Sequence, residues 1–307
     1  MRVASGGGRT GQPSEQPGFS AESTRRTLDA VGNRLAINTA GAELVTRGEI
    51  SVYDLGGLWL IARIARTTDY LTDFTTEVQV ARWLESAGFP AARLAGPADQ
   101  PIIEDGRVVT FWAQVAEHGY HGTLTDLAGL LRRLHDLDPP SSLVLPELRP
   151  FEGAKTRIGR ADLPEDDRKF LLSRLDELRD KYAHLDFVLP PGPIHGNAYV
   201  NSVVPLMWDS RSRVLVDMDG FAAGPREWDL VLTAMYFERF GWHSDDEYLE
   251  FASGYGFDVM SWPGYTVLRN IRELILLTWL ALIPWNMPEI QAEVSGRIAD
   301  LRGGNAD

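Results

Sequence analysis

Ile194–Leu230 reads IHGNAYVNSVVPLMWDSRSRVLVDMDGFAAGPREWDL, the most informative stretch of the chain. A short apolar run opens on His195-Gly196-Asn197. A second, RVLV, ends in Asp217-Met218-Asp219-Gly220, and Gly224-Pro225-Arg226-Glu227-Trp228-Asp229-Leu230 leads into a helical pattern. Two strands around a turn, each ending in polar residues, put those residues at a sheet end where ligands can reach them. Asp229 follows Trp228 at a helix start, where a carboxylate can cap the first amides.

Before this stretch the texture changes twice. Residues 1–19 are rich in Gly, Ser, Pro and Gln, cannot offset ordering entropy by burial, and are expected to be a disordered tail. Gly6, Gly8 and Gly11 match G-x-G-x-x-G by accident, since no strand precedes them and Pro13 and Pro17 follow where a helix should begin. From Ser20, an N-cap with Glu22 and Ser23 behind it, Leu28, Val31 and Leu35 recur at helical spacing. AELVTRGEISVYDL (42–55) and GLWLIARIA (57–65), punctuated by Gly48 and Gly56-Gly57, predict a hairpin or meander. Residues 69–87 carry Phe74, Val78, Ala81 and Leu84 on one helical face and stop at Gly88. AARLAG (91–96), PIIED (101–105) and VVTFWAQVA (108–116) read as strands.

Beyond Glu117 the pattern is helical. Residues 123–137 place Leu127, Leu130, Leu131 and Leu134 on one face, 164–184 form a charged amphipathic helix, and the chain from Trp228 to Leu301 is mainly helices. PIHGNAYVNSVV (193–204) and RVLVDMDG (213–220) are the strands between. The expected organisation is α+β: the tail, a small β-rich lobe over 20–117 with one main helix, a connector near 114–120, and a larger, mostly helical lobe over 118–307. Two lobes imply a cleft for a ligand.

Composition removes several functions. Acidic residues outnumber basic ones 43 to 30, a net charge of −13, so no nucleic-acid partner is expected. Without cysteine there is no thiol catalysis, zinc–thiolate site or disulfide, and the cytoplasm is the expected compartment. The opening residues lack the apolar core of a secretory signal, and the apolar run Leu274–Trp285 is too short for a bilayer, so it reads as a buried helix and no membrane association is expected. G-x-S-x-G and H-E-x-x-H are absent. His118 and His121 lack a nearby third ligand and read as hydrogen-bonding or solvent-facing, and His135 reads as packed. The acidic runs at Asp162–Asp167 and Asp245–Glu247 read as solvated faces, although they could line a cationic substrate. Trp242, Trp262, Trp279 and Trp285 read as core, with a substrate wall the other possibility.

The linked motifs HGN, VDMDG and GPREWDL, together with the LLRRLHDL helix, resemble the aminoglycoside phosphotransferase and choline kinase family of kinase-like enzymes, over about residues 25–302. The resemblance implies a protein-kinase-like two-lobed fold, Mg²⁺ with ATP or GTP, and phosphoryl transfer to a hydroxyl of a small molecule or peptide. It implies a metal role for Asp217, a carboxylate at a strand end and a hard oxygen donor, with Asp219 sharing the ion or shaping the turn. Arg63 stands where the family presents a basic residue to the phosphates, with Glu77 orienting it and Arg66 as the competing candidate. Arg47-Gly48-Glu49-Ile50 resembles the phosphate-covering loop without its full glycine pattern. His195 is implied to fix the catalytic-loop backbone, and Asp229 to brace that loop.

The departure lies in HGDxHxxN. Asn197 replaces the base Asp, and an amide has no useful basicity at neutral pH. Tyr199 replaces the second His, and Ser202 the metal-binding Asn, unless the loop is one residue shorter and Asn201 takes that place. Two expectations follow: a phosphotransferase with an atypical loop, or a pseudokinase that binds a nucleotide, metabolite or protein partner without transfer.

Overall fold

A computed structural model describes residues 19–115, 121–206, 209–283 and 287–303. Most of the expected tail with its glycine triplet, residues 116–120 of the connector with His118, and Trp285 lie outside the described residues. In chain order the elements are α1 (Ala21–Leu35), β1 (Glu43–Arg47), β2 (Ile50–Asp54), β3 (Leu60–Ala65), α2 (Leu71–Ser86), β4 (Ile102–Glu104), β5 (Arg107–Ala113), α3 (Leu124–His135), α4 (Ala154–Arg160) and α5 (Glu165–Ala183). After them come β6 (Gly192–Ile194), β7 (Val203–Leu206), β8 (Asp209–Leu215), β9 (Ala222–Gly224), α6 (Glu227–Phe240), α7 (Asp245–Tyr255), α8 (Tyr265–Leu280) and α9 (Pro288–Arg302). They fall into two compact units, Met1–Leu145 with Tyr199–Phe221, and Pro146–Ala198 with Ala222–Asp307.

The first unit is built on an antiparallel sheet in the order β1-β2-β3-β5-β4. Period-two alternation gives it two faces. On one, Tyr53, Ala62, Ile64, Val109 and Phe111 meet Leu28 and Val31 of α1. On the other, Ala65 and Val108 meet Phe74 of α2. The Ser20–Ser23 capping box starts α1, and Gly88 follows α2 at φ +66°, a conformation that favours glycine. β7 and β8 add a separate hairpin.

Two expected strands take a different form. Residues 91–96 make only isolated bridges, Ala91 to Leu215 and Leu94 to Trp112. Pro90 and Pro97 bracket the segment, Gly96 turns at φ +76°, and its two bridges go to different strands, so no ladder extends. The run 193–204 is split at Gly196 (φ +84°) into β6 and β7, which belong to different sheets.

The second unit is helical apart from the β6–β9 pair. Leu171, Leu175, Leu178, Leu230, Val231, Leu268, Ile271, Leu274 and Leu277 are buried. The acidic runs occupy the first turns of α5 and α7, where carboxylates complement the exposed amides. Trp262 is buried as expected, whereas Trp242 and Trp279 are 39% and 42% exposed, because α8 turns that side of Trp279 outward and Trp242 lies beyond the end of α6. Among the described residues no helix is long and apolar enough to cross a membrane.

Candidate functional site

Alternation along β3 decides where Arg63 goes. Ala62 and Ile64 face α1, so Arg63 and Ala65 face α2. Glu77 lies three residues after Phe74 on the same side of α2 and is buried. It accepts both terminal nitrogens of Arg63, Nη1 on Oε2 and Nη2 on Oε1 at 3.4 Å. The rings of Phe74 and Trp112 flank the guanidinium at 5.3 and 5.9 Å. Burial works against the Arg63 charge, but Glu77, Asp219 and Asp217 outweigh it and raise the pKa above the ordinary arginine value. Burial, helped by repulsion from Asp219, pushes the Glu77 carboxyl up against the pull of Arg63. Arg66 points elsewhere, with Nε 3.7 Å from Glu49 and its guanidinium 5.2 Å from the Phe19 ring.

The two aspartates that act on Arg63 come from the turn after β8. Asp217 sits in the left-handed region at φ +63°, ψ +57°, and starts a 3-10 turn over Met218–Gly220. Such a conformation costs a non-glycine residue roughly 1 kcal/mol, least for Asp and Asn, and backbone strain of this kind gathers at functional sites. Met218 turns inward, leaving Asp217 and Asp219 exposed on either side. Trp83 of α2 meets Phe221 edge-on at 6.1 Å and anchors the turn. The Val216 amide donates to the Ser202 carbonyl at 2.9 Å, which brings the 200–202 turn beside Asp217. Ser202 is fully buried, and its Oγ accepts from the Tyr199 amide at 3.4 Å; Asn201 is only half-buried.

One carboxylate bonds the guanidinium and two more act on it through space, more negative charge than Arg63 neutralises. The donors are oxygens and two are exposed, which fits a hard cation such as Mg²⁺. Among the described residues no group of three or more His, Cys, Asp or Glu side chains is set to hold a metal ion, so a cation here would draw on amide or hydroxyl oxygen and on its other ligand. His121, expected to be hydrogen-bonding or solvent-facing, is exposed.

In the second unit Asp229 corrects one expectation. The N-cap of α6 is Arg226 and makes no side-chain cap bond. The fully buried Asp229 carboxylate instead accepts from the His195 amide at 2.7 Å and the Gly196 amide at 2.8 Å. Lying within the first turn of α6, it is aimed at β6 rather than at its own helix start. Gly196 is held from the other side as well. Its carbonyl accepts from Trp228 Nε1 and Arg272 Nη2, both at 2.9 Å, and Arg272 also bonds the Trp228 carbonyl. The Arg272 guanidinium stacks 3.8 Å from the Trp228 ring. Burial lowers its pKa to about 10 against the pull of Asp229, so it remains charged at neutral pH. At φ +84° with amide and carbonyl both engaged, position 196 needs glycine. Sequence reasoning missed Arg272; the signal was a cation inside the apolar run LRNIRELILL. His195 is fully buried and Asn197, next to the clamped glycine, is half-buried.

A family model described as "Phosphotransferase enzyme family" matches residues 49–269, which include Arg63, Glu77, the 195–202 loop, Asp217 and Asp229. The chain belongs to this family. Its kinase-like fold recurs in amicoumacin kinase hAmiN, solved with AMP-PNP, Ca²⁺ and Ami, at 13% identity and TM-score 0.68, covering 90% of this chain and 93% of that one. It recurs in an aminoglycoside phosphotransferase of type APH(3'')-Id from Streptomyces rimosus, at 19% identity and TM-score 0.59, covering 83% and 98%. A choline/ethanolamine kinase family protein from Mesorhizobium loti aligns at 16% identity and TM-score 0.56, covering 90% and 94%. No curated protein matches the sequence. The α+β fold of this family member is the one its motifs implied.

Proposed function

We propose that this chain transfers the γ-phosphoryl group of ATP or GTP to a hydroxyl of a small molecule, slowly, through a loop that positions the acceptor without a carboxylate base. The observation that carries the reading is the charged set of the first unit, Arg63 bonded to Glu77, with Asp217 and Asp219 on the turn after β8 acting on its charge. Phosphoryl transfer asks little covalent chemistry of a protein; it asks for cations along the phosphates and an oriented acceptor. Arg63, fixed by Glu77 and two aromatic rings, would present its fork to phosphate oxygens. Asp217, with Asp219 and the half-buried Asn201, would hold Mg²⁺, which when bound neutralises charge on the phosphates. Ser202, enclosed within its own turn, is the weaker of the two loop candidates.

Asn197 can orient an acceptor hydroxyl by donating and accepting, but it cannot take the proton. As the new P–O bond forms and the bond from the γ-phosphorus to the bridging oxygen breaks, releasing the nucleoside diphosphate, that proton goes to solvent or to the phosphoryl oxygens. Loss of a general base costs roughly 10²–10⁴ in rate, which is the basis for expecting slow turnover. The clamp of Asp229, Trp228 and Arg272 on Gly196 supports the view that the loop is still held for use.

A second reading, binding without transfer, draws on the substitutions at 197, 199 and 202 together. Calorimetric titration with ATP and with GTP, each with and without Mg²⁺, separates the two when joined to a turnover assay. Mg²⁺-dependent binding that is lost in Asp217→Ala, with slow nucleotide hydrolysis, supports transfer. Binding with no turnover, even in Asn197→Asp, favours the second reading, and no binding at all overturns both nucleotide readings.

A further inference from the structure

α2 is bonded to the sheet at its middle and at its start. At the middle, Glu77 accepts Arg63 of β3. At the start, Tyr70 Oη donates to Glu49 Oε2 at 3.0 Å. Gly48 and Glu49 connect β1 to β2, and the Arg66 amide at the end of β3 donates to the Glu49 carbonyl at 3.0 Å. Arg66 Nε stands 3.7 Å from the same carboxylate oxygen that Tyr70 reaches, and its guanidinium lies 5.2 Å from the Phe19 ring. Glu49 is thus held by the end of β3 and by the first residue of the helix at once.

Tyr70 occupies the N-cap of α2 and makes no cap bond, at a position where Ser, Thr, Asp or Asn serves a helix best. Its hydroxyl goes to the turn instead. Its ring packs with Ile50 and Leu71 against Ala65, Phe74 and Val108. Tyr70, Phe74 and Glu77 recur at the spacing of one helix side, and Phe74 lies 5.3 Å from the Arg63 guanidinium. The bonds made by Tyr70 and Glu77 are about 10 Å apart along the helix axis. Separated attachments fix the direction of a helix, where a single one leaves it free to pivot. On the sheet, Val52 pairs with Arg63 and Ile50 with Ala65, so the turn begins about 7 Å beyond the partner of Arg63.

We infer that Tyr70 is a positioning residue for the nucleotide: through Glu49 it locks the β1–β2 turn to the opening of α2, and so holds the turn and the Arg63 fork in one arrangement. This role rests on Arg63 being a phosphate ligand, as proposed above.

Tyr70→Phe keeps the packed ring and removes the hydroxyl. ATP with Mg²⁺ is titrated calorimetrically into the full chain, at a temperature where circular dichroism shows every variant folded. Glu49→Ala, the double variant Tyr70→Phe/Glu49→Ala and the pair Arg63→Met/Glu77→Gln are measured alongside. The expected affinity is about five- to tenfold lower in Tyr70→Phe, similar in Glu49→Ala, and no lower in their double variant, because the two side chains make one contact. A role confined to the fold would lower the melting temperature of Tyr70→Phe and leave its ATP affinity unchanged. That result, with binding weakened in Arg63→Met/Glu77→Gln, overturns the role of Tyr70 alone. Additive losses in the double variant overturn it too. Wild-type affinity in Arg63→Met/Glu77→Gln overturns the assignment of Arg63 and the role of Tyr70 with it.

Discussion

Asp229 holds two consecutive amides in a fully buried setting, and its charge is set against that of Arg272. Asp229→Ala should therefore lower stability by roughly 3–5 kcal/mol, because it orphans both amides and leaves a buried cation without its counter-charge; urea unfolding reads the loss. An unchanged unfolding midpoint would contradict the bracing role. Arg63 presents the opposite test. Arg63→Met strands the buried Glu77 carboxylate and should destabilise the first unit, while the double variant Arg63→Met/Glu77→Gln should recover much of that stability and still bind ATP at least about tenfold more weakly than wild type. Recovery of affinity along with stability would show that Arg63 serves only the fold. At Asn197, replacement by Asp should raise turnover by an order of magnitude or more if the base is the missing part.

Short-range chemistry governs the elements. Capping boxes at Ser20–Ser23, Thr123–Asp126 and Ser244–Glu247 start α1, α3 and α7, and each is a local pattern written in adjacent residues. Hydrogen bonds from the Ser244 amide and hydroxyl hold the Glu247 carboxyl below its ordinary 4.5. The folded pKa lies under the unfolded one, so this contribution is complete above 4.5 and disappears as the pH falls through the folded value. The group is exposed, so solvent screening keeps it to about 0.5 kcal/mol. The difference in urea midpoint between wild type and Glu247→Gln should be present near about pH 7 and vanish near about pH 3; a constant difference would remove the charge from the account. Residues 91–96 show the limit of local reading, since apolar side chains alone gave no partner for a ladder.

For the whole molecule, charge is the property that sequence states outright. With a net charge of −13 and a pI near 5.0, the chain should repel its copies at neutral pH and associate as the pH approaches about 5, which light scattering against pH would read. The kinase-like fold is likewise carried by pattern, as it is shared with amicoumacin kinase at 13% identity. Apolar periodicity and turn residues survive wide substitution because they specify faces rather than particular contacts.

What the sequence determined by itself was the elements whose signals are local: the helix begun at Ser20, the β2–β3 hairpin around Gly56-Gly57, the positions of Arg63, Glu77, Asp217 and Asp229 within their motifs, and the charge. Only tertiary structure decided which groups meet. Arg63 rather than Arg66 faces Glu77 because strand alternation and the docking of α2 choose the face, and Asp229 serves the His195–Gly196 turn because β6 lies against the first turn of α6. Arg272 reaches Gly196 across 76 residues of chain. A hydrogen bond reads distance in space, and distance along the chain says nothing of it until the core has packed.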